Sequence, residues 1–232
     1  MIHNSLTKSI IRTHQRCAFL GNSAEEPDFI ADLTLNWTQE LHTILKLILH
    51  PKLQIGLASV YCHQKPIVDF GQAKNPELGD ILFVFKYTDL YGKTTINSLL
   101  LQVKKTSRQN FKISSNELHQ LELYTKWPKF KYLRANALNG KTIDIHPKCV
   151  TQGARYLLID PDPFLTLGLD GTFAFGCAIP DNLISIYSDF TNEILNFLMF
   201  ATGRTISDKA SITEDWSKMI WDLLSISKNK MT

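Results

Sequence analysis

Two apolar runs constrain this chain more than anything else in it. "DILFVF", starting at Asp80, and "SLLLQV", starting at Ser98, stand on either side of "KYTDLYGKTTIN". Runs this short, dense in Val, Ile, Phe and Leu and bounded by turn residues, read as buried strands. A Gly-containing turn between them predicts an antiparallel hairpin whose arms are the central strands of the core. In a pleated strand, residues two apart share a face. The second run therefore ends by turning Gln102 and Lys104 the same way.

The elements around the hairpin follow from periodicity. Over 29–50, Leu33, Trp37, Leu41, Ile44, Leu45 and Ile48 recur at three- and four-residue steps, predicting an amphipathic helix that Pro51 ends. Segments 53–62 and 66–70 read as short extended pieces. "SSNELHQLELYT" predicts a capped helix stopped by Pro128, and "ARYLLIDPDP" another strand. The Gly-rich 164–178 suggests a hairpin, and helices are expected around 181–202 and 212–226. The stretch before Pro27 is polar, with a loop at "GNSAEEP". The order helix, strands, helix, strand, helices predicts an α/β (α+β) domain around one mixed sheet. A chain of 232 residues with 44% hydrophobic residues can bury such a core as a single domain, with its centre over about 29–160 and a helical C-terminal extension over about 161–232.

Composition narrows the chemistry. Cys17, Cys62, Cys149 and Cys177 form no C-x-x-C pair, which argues against a zinc ribbon or a disulfide framework and fits a reducing cytoplasm. The histidines show no H-E-x-x-H spacing. No apolar segment approaches the roughly 20 residues that cross a bilayer, so no membrane partner is expected. Lys8, Arg12 and Arg16 without an acid give the first residues a faint likeness to a transit peptide, but no apolar core makes them a secretory signal. The net charge of +3 permits an anionic partner without naming one.

If the hairpin arms pair about "LYGK", Asp80 at the start of one lies beside Gln102 and Lys104 at the end of the other. A carboxylate and an amide oxygen are hard donors suited to Mg²⁺ or Mn²⁺, to which the Val103 carbonyl could add. A nearby ammonium can orient a metal-bound water or compensate phosphate charge. Together they imply phosphodiester hydrolysis. Of two further acids, Glu40 on the preceding helix is favoured over Glu77, which lies close to Asp80 along the chain.

These residues resemble the PD-(D/E)xK nuclease superfamily. "ELGDILFVF…LLLQVKK" is similar to its core in the Gln variant of Mrr-like restriction endonucleases. "QLELY", with Gln120 and Tyr124, is similar to the Q-x-x-x-Y element of RecB-like members. The resemblance spans about 29–124. It implies a restriction-endonuclease-like mixed sheet, Asp80 and Gln102 as metal ligands, Lys104 assisting the nucleophile, and Glu40 completing the site. It further implies a Mg²⁺-dependent DNA endonuclease in restriction or defence, or a catalytically silent DNA-binding or partner subunit on the same fold. A homodimer is compatible with it, since two strands need two sites. Two departures stand out: Gln102 replaces the commoner acid, and Gly79 replaces the proline before Asp80.

Charge placement adds a nucleic-acid expectation. Over 97–134, eight Lys and Arg face only Glu117 and Glu122. Lys105, Arg108, Lys112, Gln120, Tyr124, Lys126, Lys129 and Lys131 are the candidate contacts. Phe111, Trp127, Phe130 and Tyr132 interleave as stacking platforms for a phosphate backbone's bases or sugars. Plainer readings stand beside these: a strand end reaching water, a helix-face pair at Gln120 and Tyr124, and a Trp127 that anchors a basic loop to the core. Asp-Pro turns account for Asp160 and Asp162.

Overall fold

The computed structural model describes residues 2–19, 24–148, 153–162 and 174–228. Its centre is the expected hairpin. Strand β3 (Ile81–Thr88) pairs antiparallel with β4 (Thr94–Lys105), Thr88 opposite Thr94 and Ile81 opposite Leu101. The turn closes because the Asp89 carboxylate accepts from the amides of Tyr91 and Lys93, and because Gly92 takes a left-handed φ of +82°.

Around this hairpin the sheet grows in both directions. β1 (Gln54–Tyr61) pairs antiparallel with β3, and β8 (Ala154–Ile159) lies parallel to β4. The parallel step needs a crossover. Helix α4 (Leu118–Lys126) lies within that connection. Strands β9 (Phe175–Ala178), β10 (Leu183–Asp189) and β5 (Asn110–Lys112) follow in that order beyond β8. β11 (Arg204–Ile206) pairs with the first half of β4, completing an eight-stranded mixed sheet. A small second sheet holds β2 (Ile67–Asp69), β6 (Phe130–Leu133) and β7 (Thr142–Ile143).

Both faces of the main sheet are covered, which is why its central strands carry unbroken apolar runs. Leu99, Leu101 and Val103 of β4 face a core built with α1 (Ile2–Ala18), α2 (Glu26–Asp32), α3 (Thr38–Ile48) and α5 (Phe190–Leu198). Ile96 and Leu100 face the other core, with α4, the small sheet and α6 (Asp215–Lys228). The expected helix over 29–50 is present, but it starts at Glu26 and contains a π-helical turn, Leu33–Trp37. There the Thr38 hydroxyl bonds the Leu33 carbonyl, and the Trp37 indole donates to Ser9 of α1.

Three expectations change. The polar opening stretch is a helix, α1, whose Leu6, Ile10 and Cys17 are core. Its three- and four-residue apolar steps are diluted by Ser9, Thr13 and His14, all buried, so polarity concealed the pattern. The helix expected over 181–202 begins as β10, and only from Phe190 is it helical, where Asp189 caps it by accepting from the Asn192 amide. The C-terminal third is also no appendage, because β9, β10 and β11 belong to the main sheet. Most of the hairpin expected over 164–178 lies outside the described residues; its end, Phe175–Ala178, is β9.

Candidate metal centre

The hairpin register places Asp80 opposite Gln102, one pair beyond Ile81 and Leu101. Asp80 is buried, 1% exposed, and each carboxylate oxygen is taken. Oδ2 accepts from Gln102 Nε2 at 2.5 Å and from the Val103 amide at 2.7 Å, and Oδ1 is 2.8 Å from His63 Nδ1. Hydrogen bonds to a charged acceptor contribute roughly 1.5–3 kcal/mol each, which offsets the cost of holding a carboxylate away from water.

His63 arrives by register. Tyr61, the last residue of β1, pairs with Ile81, and the Cys62 amide donates to the Asp80 carbonyl at 2.8 Å. His63 therefore sits beside the carboxylate at the mouth of the same corner. Gln64 then turns the chain with a left-handed φ of 64°, and its amide donates to Glu77 Oε2 at 3.0 Å. Glu77 Oε2 is also 3.5 Å from His63 Nδ1. One ligand atom from each of His63, Glu77 and Asp80 lies within 4.8 Å of the others, a group that can hold a metal ion. Gln102 Oε1 is buried with no hydrogen-bond partner, and because Nε2 is the end turned to Asp80, the amide would have to turn over for this hard oxygen donor to join the group.

Electrostatics separate the roles. The hydrogen bond to Asp80 raises the His63 pKa above the usual histidine value, aided by the charge of Glu77 and opposed by partial burial. Burial raises the Glu77 carboxyl. Lys104 shares the Gln102 face and donates to Glu117 of the α4 approach at 2.5 Å. Burial alone would lower the Lys104 pKa, but the bond to Glu117 and its charge outweigh that, so the ammonium stands above the ordinary lysine value. At neutral pH it is a fixed positive charge beside the corner. Side chains of His63, Glu77 and Lys104 are 18%, 29% and 22% exposed, so the corner is open on their side while Asp80 lies at its floor.

The remaining expected site residues divide. Glu40 does not join the corner; it pairs with Arg12 and Arg16 of α1. The helical acid that reaches the end of β4 is Glu26, which accepts from the Lys105 amide at 2.8 Å. Glu77, passed over because of its closeness in sequence, is in the cluster. The part of Val103 that meets Asp80 is its amide, not its carbonyl.

Gln120 and Tyr124 are buried, 6% and 0% exposed, so they are inner supports rather than nucleic-acid contacts. The Tyr124 hydroxyl donates to the Leu78 carbonyl at 3.0 Å, clamping the chain two residues before Asp80. Gly79 is required by this clamp. A Cβ there would stand 2.8 Å from both the Tyr124 hydroxyl and Leu100 Cδ1. Trp127, Phe130 and Tyr132 are core, Trp127 stacking on Tyr124 at 5.5 Å, so the expected stacking platforms are withdrawn from solvent. Lys105 holds Glu25 and the Ala24 carbonyl, and Lys126 holds Glu122. Arg108, Lys112, Lys129 and Lys131 remain exposed.

No helix among the described residues is long and apolar enough to cross a membrane. No protein-family model, curated protein or solved structure matches this chain.

Proposed function

We propose that this protein is a divalent-metal-dependent DNA endonuclease, acting through the corner formed by Asp80, Gln102 and Lys104, with a role in restriction or defence. The observation that carries the reading is the contact of Asp80 with Gln102 between neighbouring chain segments, with Lys104 on the same face of β4 as Gln102 and with His63 and Glu77 beside Asp80. The pairing of β3 with β4 brings the acid just before β3 beside the Q-x-K end of β4, which supports the reading.

In this reading Asp80, Glu77 and His63 would hold Mg²⁺ or Mn²⁺, and the Gln102 amide could add Oε1 if it turned over. The imidazole favours Mn²⁺, which accepts nitrogen and oxygen donors alike, over Mg²⁺. When bound, the cation supplies Lewis-acid activation of a phosphodiester and of its attacking water. Lys104, held protonated by Glu117, orients that water and offsets the charge gathering on the phosphate. Exposed Arg108, Lys112, Lys129 and Lys131 supply the sequence-independent attraction to the backbone.

The test is incubation of plasmid and linear duplex DNA with Mn²⁺ or Mg²⁺, comparing wild type with Asp80→Asn and Lys104→Ala proteins whose melting curves show them folded. Cation-dependent cleavage that falls about 100-fold or more in both variants supports the assignment. Undiminished cleavage in both removes it. A second reading, a silent DNA-binding subunit, draws on the Gln102 amide donating to Asp80 at the position where the family carries an acid. It predicts salt-sensitive DNA binding with no cleavage under either cation.

A further inference from the structure

β1 is the border strand of the main sheet, and among the described residues only β3 pairs with it. The bond from the Cys62 amide to the Asp80 carbonyl fixes the phase of the ladder. Antiparallel pairs alternate between hydrogen-bonded and open. Ile55, Leu57, Ser59 and Tyr61 therefore turn their N–H and C=O groups away from β3, toward the open border.

Such borders are usually blunted by charge, proline or a bulge. From Gln54 to Tyr61 this one has no charged residue and no proline, and its register with β3 runs without interruption. Two cavities lie along it, beneath α6. One, of about 460 Å³, is walled by Leu57, Ala58, Val84, Ile96, Trp221 and Leu224. The other, of about 220 Å³, is walled by Val60, Pro66, Leu223 and Ile226. The charged residues lining the first are Lys86 and Lys209, and the one lining the second is Lys65; neither lining includes an acid.

We infer that the open border of β1 is a docking strand for an extended peptide segment of a partner protein, apolar at alternate positions and carrying acidic side chains beside them on the same face. Main-chain bonds to Ile55, Leu57, Ser59 and Tyr61 provide the attachment, as in strand addition generally, and the two cavities receive alternate apolar side chains. Charge selects the partner. Three lysines at a groove lined by no acid favour carboxylates and disfavour a second copy of this chain, whose β1 has no acid to offer and whose own lysines would be brought to the same junction. A small amphipathic acid would fill the larger cavity but leave the border unpaired.

The probe is a fluorescein-labelled ten-residue peptide with serine at every second position and, on the other face, three valines flanked by two glutamates, with lysine in place of glutamate as control, titrated against the full chain by fluorescence anisotropy. The glutamate peptide is expected to bind at least ten-fold more tightly at low salt, with the preference shrinking as salt rises. Leu57→Pro removes an outward N–H without cutting a β1 to β3 bond, and should weaken binding ten-fold or more. The paired variant Lys86→Glu with Lys209→Glu should reverse the preference toward the lysine peptide. Equal binding of the two peptides overturns the inference. So does full binding by a folded Leu57→Pro protein, which would mean that the cavities hold apolar matter without strand addition. A wild-type dimer in sedimentation that Leu57→Pro dissociates would show the border taken by a second copy instead.

Discussion

Replacing Gly79 with alanine tests whether the Tyr124 clamp holds the metal corner in place. The added methyl would lie 2.8 Å from the Tyr124 hydroxyl and from Leu100 Cδ1, and 2.9 Å from Leu100 Cγ. Leu100 is central in a strand paired on both sides and Tyr124 is fully buried, so neither has room to swing away. Overpacking of this kind costs about 1–3 kcal/mol. If the tyrosine yields, the Leu78 carbonyl loses its hydroxyl donor, which costs about 1–3 kcal/mol more. The total of about 2–6 kcal/mol is a large share of an ordinary domain's stability and corresponds to a fall in Tm of roughly 4–24 °C for a chain of this size. Urea and thermal melts of Gly79→Ala, Tyr124→Phe and the double variant measure it. Tyr124→Phe removes one of the two clashing groups, so the double variant should be less destabilised than the sum of the singles. Mn²⁺ titration of the same proteins should show weaker affinity in Gly79→Ala, because Asp80 is the next residue. A Gly79→Ala protein within 0.5 kcal/mol of wild type, roughly the scatter of a neutral surface change, would refute the reasoning.

Three further perturbations separate the roles of neighbouring groups. His63→Asn exchanges a nitrogen donor for an oxygen donor and should shift the calorimetric preference from Mn²⁺ toward Mg²⁺, by about ten-fold in the ratio of Kd values; an unchanged ratio would place His63 outside the ligand set. Glu117→Gln removes the charge that keeps Lys104 above its ordinary pKa, so the Lys104 Nζ titration followed by NMR should move downward, while a Lys104 pKa that stays put would mean another group holds it. Asp222 on α6 is held above the usual carboxylate range by burial, against the pull of Lys141 and Lys218. A raised carboxyl pKa means the folded state binds the proton more tightly, so this group's contribution falls as pH rises from the unfolded value of 3.8 through the folded one. Asp222→Asn should therefore stabilise at pH 7 and lose that advantage near pH 3, and melts at the two pH values check the sign.

What the sequence disclosed, and what it withheld, follows from how local each determinant is. The hairpin and the shared face of Gln102 and Lys104 rest on period-two alternation and a turn between adjacent segments, so they could be read directly, and with them the neighbourhood of Asp80. His63 needed one more step. "LQIGLASVYC" is recognisably extended, but its partner is not written in its own residues. Once Tyr61 is set opposite Ile81, Cys62 falls opposite Asp80 with its thiol in the core on the Val60 carbonyl, and His63, one residue on, meets the Asp80 carboxylate. Glu40 failed for a related reason: a helix's period says which residues share a side but not which neighbour that side meets, and here α1, hidden by its buried Ser9, Thr13 and His14, places Arg12 and Arg16 against it. The aromatics of the basic segment misled most. Charge and ring content along a chain suggest a binding face only if both point outward. Here Lys129 and Lys131 stay in solvent while their neighbours Phe130 and Tyr132 turn inward, as alternation along β6 demands. Positive charge thus survives on the surface, whereas Trp127 stacks on the clamping Tyr124 and Phe130 and Tyr132 are core. Of the interleaved rings only Phe111, half-buried on β5, still reaches solvent, so under the proposed function any stacking on a base from this segment would rest on it.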